Sequence, residues 1–437
     1  MKWVCAWMAL AAGLSPAAAF DTAAEIPPVS TACPQNVGEG TTCLAGRDSA
    51  GAFYLIAMPK AWNGDLVLHS HGGPFLGAPT AKRVVEDLER WSVMPRLGYA
   101  WAASSYRQGG VAVTAAAEDT ERLRQLFIAK VAKPRHVWLH GQSWGASVAA
   151  KGAELFTDGK PYDAVLLTAG VLGGGTRSYD FRLDLRVVYQ YLCHNHPLPS
   201  EPQYPLNTGL PADAKLTQAE LARRVDECLG KPTERTPEQS AKVKTLVDVI
   251  RIPERSIQAH LNWATWHFQD VVLKRTGGVS PFGNAGVSYT GSADDAALNA
   301  GVLRYAADAK AVATLAADAD LGGKIPVPVL TAHAIHDPTA MVELQESFGR
   351  VMAAAGREAG LVQTYTGDRD HSYLSDPTYA ALMEALSAWA TQGKKPTADG
   401  IAAGCEKARA ALGSTCKFEP GYVPKALETR VPSRAKP

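Results

Sequence analysis

The sequence predicts an α/β fold: a mainly parallel central sheet flanked by helices, with an inserted, mainly helical cap. Three observations predict it. Short runs rich in Val, Ile, Leu and aromatics recur along the chain, often apolar on consecutive positions rather than alternating, as strands buried on both faces are. Most are followed by Gly-containing turns and helix-like stretches, and strands alternating with helices imply a layered α/β architecture. Between Gly170 and Lys324 that rhythm gives way to helical segments with no convincing buried strand.

The strand-like runs are Phe53 to Met58, Leu66 to His69, Tyr99 to Ser104, His136 to His140, Ala164 to Thr168, Val327 to Ala332 and Leu361 to Tyr365. Helical periodicity fits Thr114 to Ala132, Ala146 to Phe156, Met341 to Ala355 and Thr378 to Ala390. In the insertion it fits Thr217 to Cys228, Pro237 to Ile250 and Asp294 to Ala307. Gly173-Gly174-Gly175 marks the entrance and Gly322-Gly323-Lys324 the exit. The expected organisation is a core of residues 20–170 and 325–392, a helical cap of 171–324, and an extended tail of 393–437 with one short helix around Cys405 to Leu412. No internal repeat is evident.

The chain has 437 residues with 46% hydrophobic and 20% charged positions, enough for a large core and incompatible with intrinsic disorder. Its 44 Lys and Arg offset 43 Asp and Glu, so no basic field exists to displace counterions from a phosphate backbone. Nucleic acid is therefore not an expected partner.

Met1 to Ala19 reads as a signal peptide: Lys2, an apolar stretch from Trp3 to Leu14, Pro16, and small residues Ala17 to Ala19. No later run approaches the roughly 18 apolar residues of a membrane span. The expected location is exported, periplasmic or extracellular. Cys5 falls in the leader, leaving Cys33, Cys43, Cys193, Cys228, Cys405 and Cys416. An even number in an exported chain suggests disulfides. Six allow 15 connectivities, and their grouping as three sequence-close pairs favours Cys33–Cys43, Cys193–Cys228 and Cys405–Cys416.

The strongest chemical signal is His136-Val137-Trp138-Leu139-His140-Gly141-Gln142-Ser143-Trp144-Gly145, a strand running through Gly-x-Ser-x-Gly into a helix. A nucleophilic Ser needs a tight strand-to-helix turn, and Gly141 and Gly145 permit close backbone approach around it. The helix N-terminus then points at developing negative charge. Upstream, His69-Ser70-His71-Gly72-Gly73-Pro74 follows a strand, and its glycines expose N–H groups suited to a tetrahedral oxyanion. Gly72 (or Gly73) and Trp144 are the candidate oxyanion donors. A metal pair at His69 and His71 is the alternative, as alternate strand residues share a face, but no third ligand accompanies it.

With the Gly141-Gln142-Ser143-Trp144-Gly145 elbow, the His71-Gly72-Gly73 loop and the chain order Ser, acid, His, the sequence resembles the α/β-hydrolase superfamily. The resemblance covers roughly residues 50 to 170 and 325 to 392 and implies an α/β-hydrolase fold. It implies Asp337, in Ala332-His333-Ala334-Ile335-His336-Asp337-Pro338 after a late strand, as the acid. It implies His371, in Gly367-Asp368-Arg369-Asp370-His371-Ser372 after the next, as the base. The long stretch between Ser143 and Asp337 is where such folds insert lids.

Asp368 and Asp370 compete as the acid, but a direct sequence neighbour of His371 rarely reaches the far side of its ring. His336 reads as a local hydrogen-bonding residue. His136, His140, His194, His196, His260, His267 and His333 read as packing or surface residues, with His194 and His196 beside Cys193 a minor metal alternative. In the cap, Trp263 and Trp266 stand three apart, on one face if helical; they are core packing or a substrate-pocket wall.

The expected function is an exported serine hydrolase cleaving carboxylic esters through Ser143, His371 and Asp337 and an acyl-enzyme. No metal or organic cofactor is required, and the partner is a small ester or short peptide. A serine peptidase of the same fold is the nearest alternative, and a non-catalytic binding protein the more distant one.

Overall fold

The computed structural model describes residues 20–371 and 373–434. The segment read as a signal peptide, with Cys5, lies outside the described residues. Nine strands form one sheet: β1 (Val29–Thr31), β2 (Thr42–Arg47), β3 (Phe53–Met58), β4 (Leu66–Ser70), β5 (Ala100–Ser104), β6 (Val137–Gln142), β7 (Ala164–Thr168), β8 (Val329–Ala334) and β9 (Leu361–Thr366). Their order is β1-β2-β3-β5-β4-β6-β7-β8-β9. The six strands β5, β4, β6, β7, β8 and β9 are parallel, and β1, β2 and β3 add an antiparallel edge.

The parallel strands are apolar on consecutive positions because each feeds two cores. Val67, Trp138, Leu166 and Leu330 face one side, against Val84 and Leu88 of the helix Ala81–Arg90 and Tyr379, Leu382 and Leu386 of the helix Asp376–Gln392. Leu66, Leu68, Leu139 and Leu167 face the other. There they meet Leu126 and Phe127 of Val113–Lys130, Ala146 and Ala150 of Trp144–Leu155, and Phe348 of Glu343–Ala354. This burial of both faces is what makes a parallel sheet the middle of three layers.

Between β7 and β8 the described chain holds helices and no strand. They are Asp180–Cys193, Gln218–Leu229, Pro237–Ile250, a continuous helical run over 257–275, Asp295–Gly301 and Ala309–Ala319. Pro237–Ile250 begins where the sequence says it should, with Thr236 and Gln239 forming a capping box and Pro237 at the first position. The helix expected over Asp294 to Ala307 is shorter, and the 257–275 run contains two π-helical turns, Trp263–His267 and Val271–Arg275. Asp318, from the insertion's last helix, accepts from the N–H groups of Val113 and Thr114 and so caps a core helix whose own flanking residue, Ala112, cannot.

The three expected disulfides, Cys33–Cys43, Cys193–Cys228 and Cys405–Cys416, are all present. The tail departs from the extended strap that its Pro and Gly suggested. Its helix runs over Ala398–Leu412 and buries Ile401 and Cys405 in the core, while Leu427 and Val431 are buried with the cap residues. Arg434 reaches Asp184 of the cap at 2.7 Å. The reason is apolar spacing too sparse to announce itself among prolines. Among the described residues no helix is long and apolar enough to cross a membrane.

Candidate active site

Because β4, β6, β8 and β9 run parallel, the segments that leave their C-terminal ends gather on one edge of the sheet, where open α/β sheets bind ligands. Ser143 stands between β6 and the helix Trp144–Leu155 with φ 59° and ψ −124°, a strained geometry for a residue with a side chain. Three backbone bonds hold the turn: Ser143 N–H donates to the Thr168 carbonyl at 2.9 Å, and the N–H groups of Ala146 and Val171 donate to the Ser143 carbonyl, each at 3.1 Å. A Cβ on Gly145 would collide with the carbonyls of Ser70 and His71, and one on Gly141 with the Gly145 backbone. The two glycines therefore let strand, loop and helix close on the serine.

The Ser143 hydroxyl is 2.6 Å from His371 Nε2, and His371 Nδ1 is 2.7 Å from Asp337 Oδ2. In the tautomer these contacts favour, Nδ1–H donates to the carboxylate and Nε2 accepts from the hydroxyl. Asp337 Oδ1 accepts from the N–H groups of Thr339 (2.7 Å) and Ala340 (2.9 Å), which fixes a carboxylate whose side chain is 0% exposed. Ser143 is 6% exposed.

The competing acids point elsewhere. Asp368 pairs with Lys417 at 2.7 Å, and Asp370, 87% exposed, pairs with Arg255 at 3.0 Å. His336 is exposed.

Gly72 lies against the serine, since a Cβ built on it would be 3.2 Å from Ser143 Cβ and 2.6 Å from Gln142 Oε1. Gly73 follows, and Trp144 supplies the first N–H of the helix, which has no partner within that helix. His69 and His71 bond different partners. His69 Nδ1 meets His140 Nδ1 at 2.9 Å, and His71 Nδ1–H donates to the Gly72 carbonyl at 2.6 Å. Burial holds His71 down to about 3, so its ring is neutral. Near Cys193, His196 bonds Thr265 at 2.9 Å and Asn195 donates to the Arg224 carbonyl. Among the described residues no three His, Cys, Asp or Glu side chains converge on a metal position.

Three histidines read as packing residues surround the site. His333 lies beneath Asp337, donating from Nε2 to the Ala340 carbonyl and accepting at Nδ1 from Gln345. His260 and His267, on the 257–275 helical run, donate from Nε2 to the carbonyls of Pro338 and Pro74, each at 2.9 Å. One anchors the cap to the segment after Asp337, the other to the segment after Gly73. Their spacing of seven residues on a helical stretch was the one available sequence signal.

Trp263 and Trp266 are half-buried against the cap core. Trp263 stacks on Tyr179 at 4.1 Å and on His267 at 4.8 Å. A cavity of about 360 Å³ opens beside the serine, lined by His71, Phe75, Arg83, Tyr106 and Trp144 among others; neither cap tryptophan nor Ser143 lines it.

No family model matches the chain, and no curated protein matches it by sequence. Solved structures do. An esterase from Aspergillus oryzae aligns over 85% of this chain and 86% of its own, with 14% identity and a TM-score of 0.44. Lipase A of Candida antarctica aligns over 95% and 89%, with 12% identity and a TM-score of 0.42. An acylaminoacyl peptidase of Pyrococcus horikoshii aligns over 85% of this chain but 42% of its own, with 9% identity and a TM-score of 0.36.

Proposed function

We propose that the protein is an exported serine hydrolase that cleaves carboxylic esters. The observation that carries the reading is the unbroken relay from buried Asp337 through His371 to a serine on a strained strand-to-helix turn. Such a relay activates a hydroxyl that is otherwise a weak nucleophile.

In this reading Ser143 Oγ attacks the ester carbonyl carbon while its proton passes to His371 Nε2. Asp337 holds the ring in the correct tautomer and stabilises the imidazolium. The N–H groups of Trp144 and of Gly72 or Gly73 receive the negative charge on the carbonyl oxygen. The C–O bond then breaks, His371 returns the proton to the departing alkoxide, and an acyl-Ser143 ester remains. Water, deprotonated by the same imidazole, releases the acid and restores the serine. Because a neutral imidazole must accept the proton, activity rises with pH on the acid limb. Three disulfides support export, since such bonds persist in oxidising compartments.

Purified Ser143→Ala, assayed beside the wild type on nitrophenyl esters, is expected to lose about 10³-fold or more in turnover. Equal activity of the two would end the assignment. Aminoacyl and prolyl nitroanilides in the same assay register the peptidase alternative by exceeding the esters in kcat/KM.

A further inference from the structure

The helix Asp180–Cys193 carries a group of charges that the relay does not use, and all but one are matched. Asp180 pairs with Arg177 and Arg434, and Asp184 accepts from Arg434 and from the Tyr289 hydroxyl. Arg186 donates to the carbonyls of Leu206, Ala264 and Gly209 and to the Tyr204 hydroxyl. Arg186, 0% exposed, has no carboxylate within ion-pair distance among the described residues, but four acceptors surround it. Arg182 is the exception in hydrogen bonding. It is 3% exposed, and among the described residues it likewise has no carboxylate within ion-pair distance. Its protein hydrogen bonds are two long ones, both at 3.3 Å, from Nε to His260 Nδ1 and from Nη1 to the Ser178 carbonyl. A guanidinium has five N–H donors, so most of this one's capacity is unspent, and its Nη2 donates to nothing among the described residues. It also sits in the first turn of a helix, where the dipole disfavours a cation.

What surrounds Arg182 keeps the cation ready without neutralising it. The guanidinium lies over the rings of Trp263 (4.5 Å), Phe181 (4.7 Å) and Tyr179 (5.2 Å), contacts that favour a cation by its face and leave the N–H fork at its edge available. Its position is fixed relative to the candidate relay. His260 links Arg182 to the carbonyl of Pro338, the residue after Asp337, and His267, stacked on Trp263, links the same helix to Pro74 beside the glycine loop. Arg182 thus bonds the helical run that reaches both the segment after Asp337 and the segment after the glycine loop. A buried charge without a full set of acceptors is costly, and a bound anion would offset that cost. A single guanidinium among rings and neutral imidazoles matches a monoanion, and its planar fork matches a carboxylate.

We propose that Arg182 recognises a carboxylate on the substrate, so that the enzyme's substrates are esters bearing a free acid group. This rests on the Ser143 reading and narrows its substrate class. Two ester pairs test it: the nitrophenyl hemiester of glutaric acid against its methyl-capped form, and carboxynitrophenyl butyrate against nitrophenyl butyrate. The first places the anion on the acyl side, the second on the alcohol side. In one pair the wild type is expected to favour the anionic member by about tenfold or more in kcat/KM, chiefly through KM. Arg182→Gln should bring that ratio to about one, and Arg182→Lys should retain part of it. No preference in either pair, or one that survives Arg182→Gln, overturns the proposal.

Should Arg182→Gln fail to fold, the wild type alone decides. The monomethyl ester of glutaric acid should inhibit neutral ester hydrolysis and its uncharged amide should not; equal inhibition by the two contradicts the assignment. A wild type that labels with a fluorophosphonate but shows no anion preference defeats the Arg182 proposal only. One that neither labels nor cleaves any ester defeats the reading beneath it.

Discussion

At the scale of single residues, the histidines over and beneath the site set a pH limit. Burial, then the Arg182 charge, pushes His260 from 6.5 down to about 3, and burial holds His267 down to about 4. Both are neutral in the folded protein, with Nε2–H donated and, in His260, Nδ1 accepting from Arg182. Above about pH 6.5 they are neutral in both states. Below it the unfolded chain binds the protons first, so stability is lost as pH falls toward about 3. His260→Gln, which keeps a donor for Pro338, should therefore lose less melting temperature than the wild type between about pH 7 and about pH 5. Identical losses would show that His260 is not part of the pH limit. Ser143 could be singled out from its strand-to-helix motif, and Asp337 and His371 through the resemblance, which implies an acid and a base after two late strands. Arg182 could not, since nothing in Asp-Phe-Arg-Leu-Asp distinguishes a paired guanidinium from an unpaired one.

At the scale of elements, the turn around Ser143 makes contrasting demands on two glycines. Gly145→Ala drives a methyl into the carbonyls of Ser70 and His71 and should cost about 3 kcal/mol or more, seen as a large drop in denaturation midpoint. Gly152→Ala, two turns further along the same helix, meets Ala117 Cβ at 3.6 Å and Leu139 Cδ2 at 4.0 Å, ordinary contacts, and should be neutral or stabilising by about 0.5–1 kcal/mol. A reversed order would contradict this account of the turn. The elements that sequence reasoning found are those with a regular signal: seven strands apolar over four to seven residues, and helices with clear periodicity. It missed β1, a three-residue edge strand exposed throughout, and β2, which pairs between β1 and β3 with mixed burial. It also missed Asp180–Cys193, whose charged residues are buried with the rest, so that no polar face marks its period. The π-helical turn over Trp263–His267 is invisible to a 3.6-residue pattern, and it alters the shared face expected for Trp263 and Trp266.

At the scale of the whole molecule, the cap is tied to the core by side chains and cross-linked within itself. Cys193–Cys228 closes a separation of 35 residues wholly inside the insertion, which by chain entropy is worth about 4 kcal/mol. The double variant Cys193→Ala, Cys228→Ala should thus unfold at lower denaturant, with more protease cleavage within residues 180–250; unchanged cleavage would show that packing alone orders the cap. The three-layer core was legible because parallel strands announce themselves, and the cap was legible mainly as their absence. How it joins the segments after Asp337 and Gly73 was not, because that depends on His260 and His267 meeting carbonyls far away in sequence. The central claim, an activated Ser143, is tested most directly by treating the purified protein and Ser143→Ala with a fluorophosphonate and mapping the modified peptide. The account predicts an adduct on Ser143 in the wild type and none in the variant. A wild type that remains unmodified, or an adduct on another residue, would contradict it.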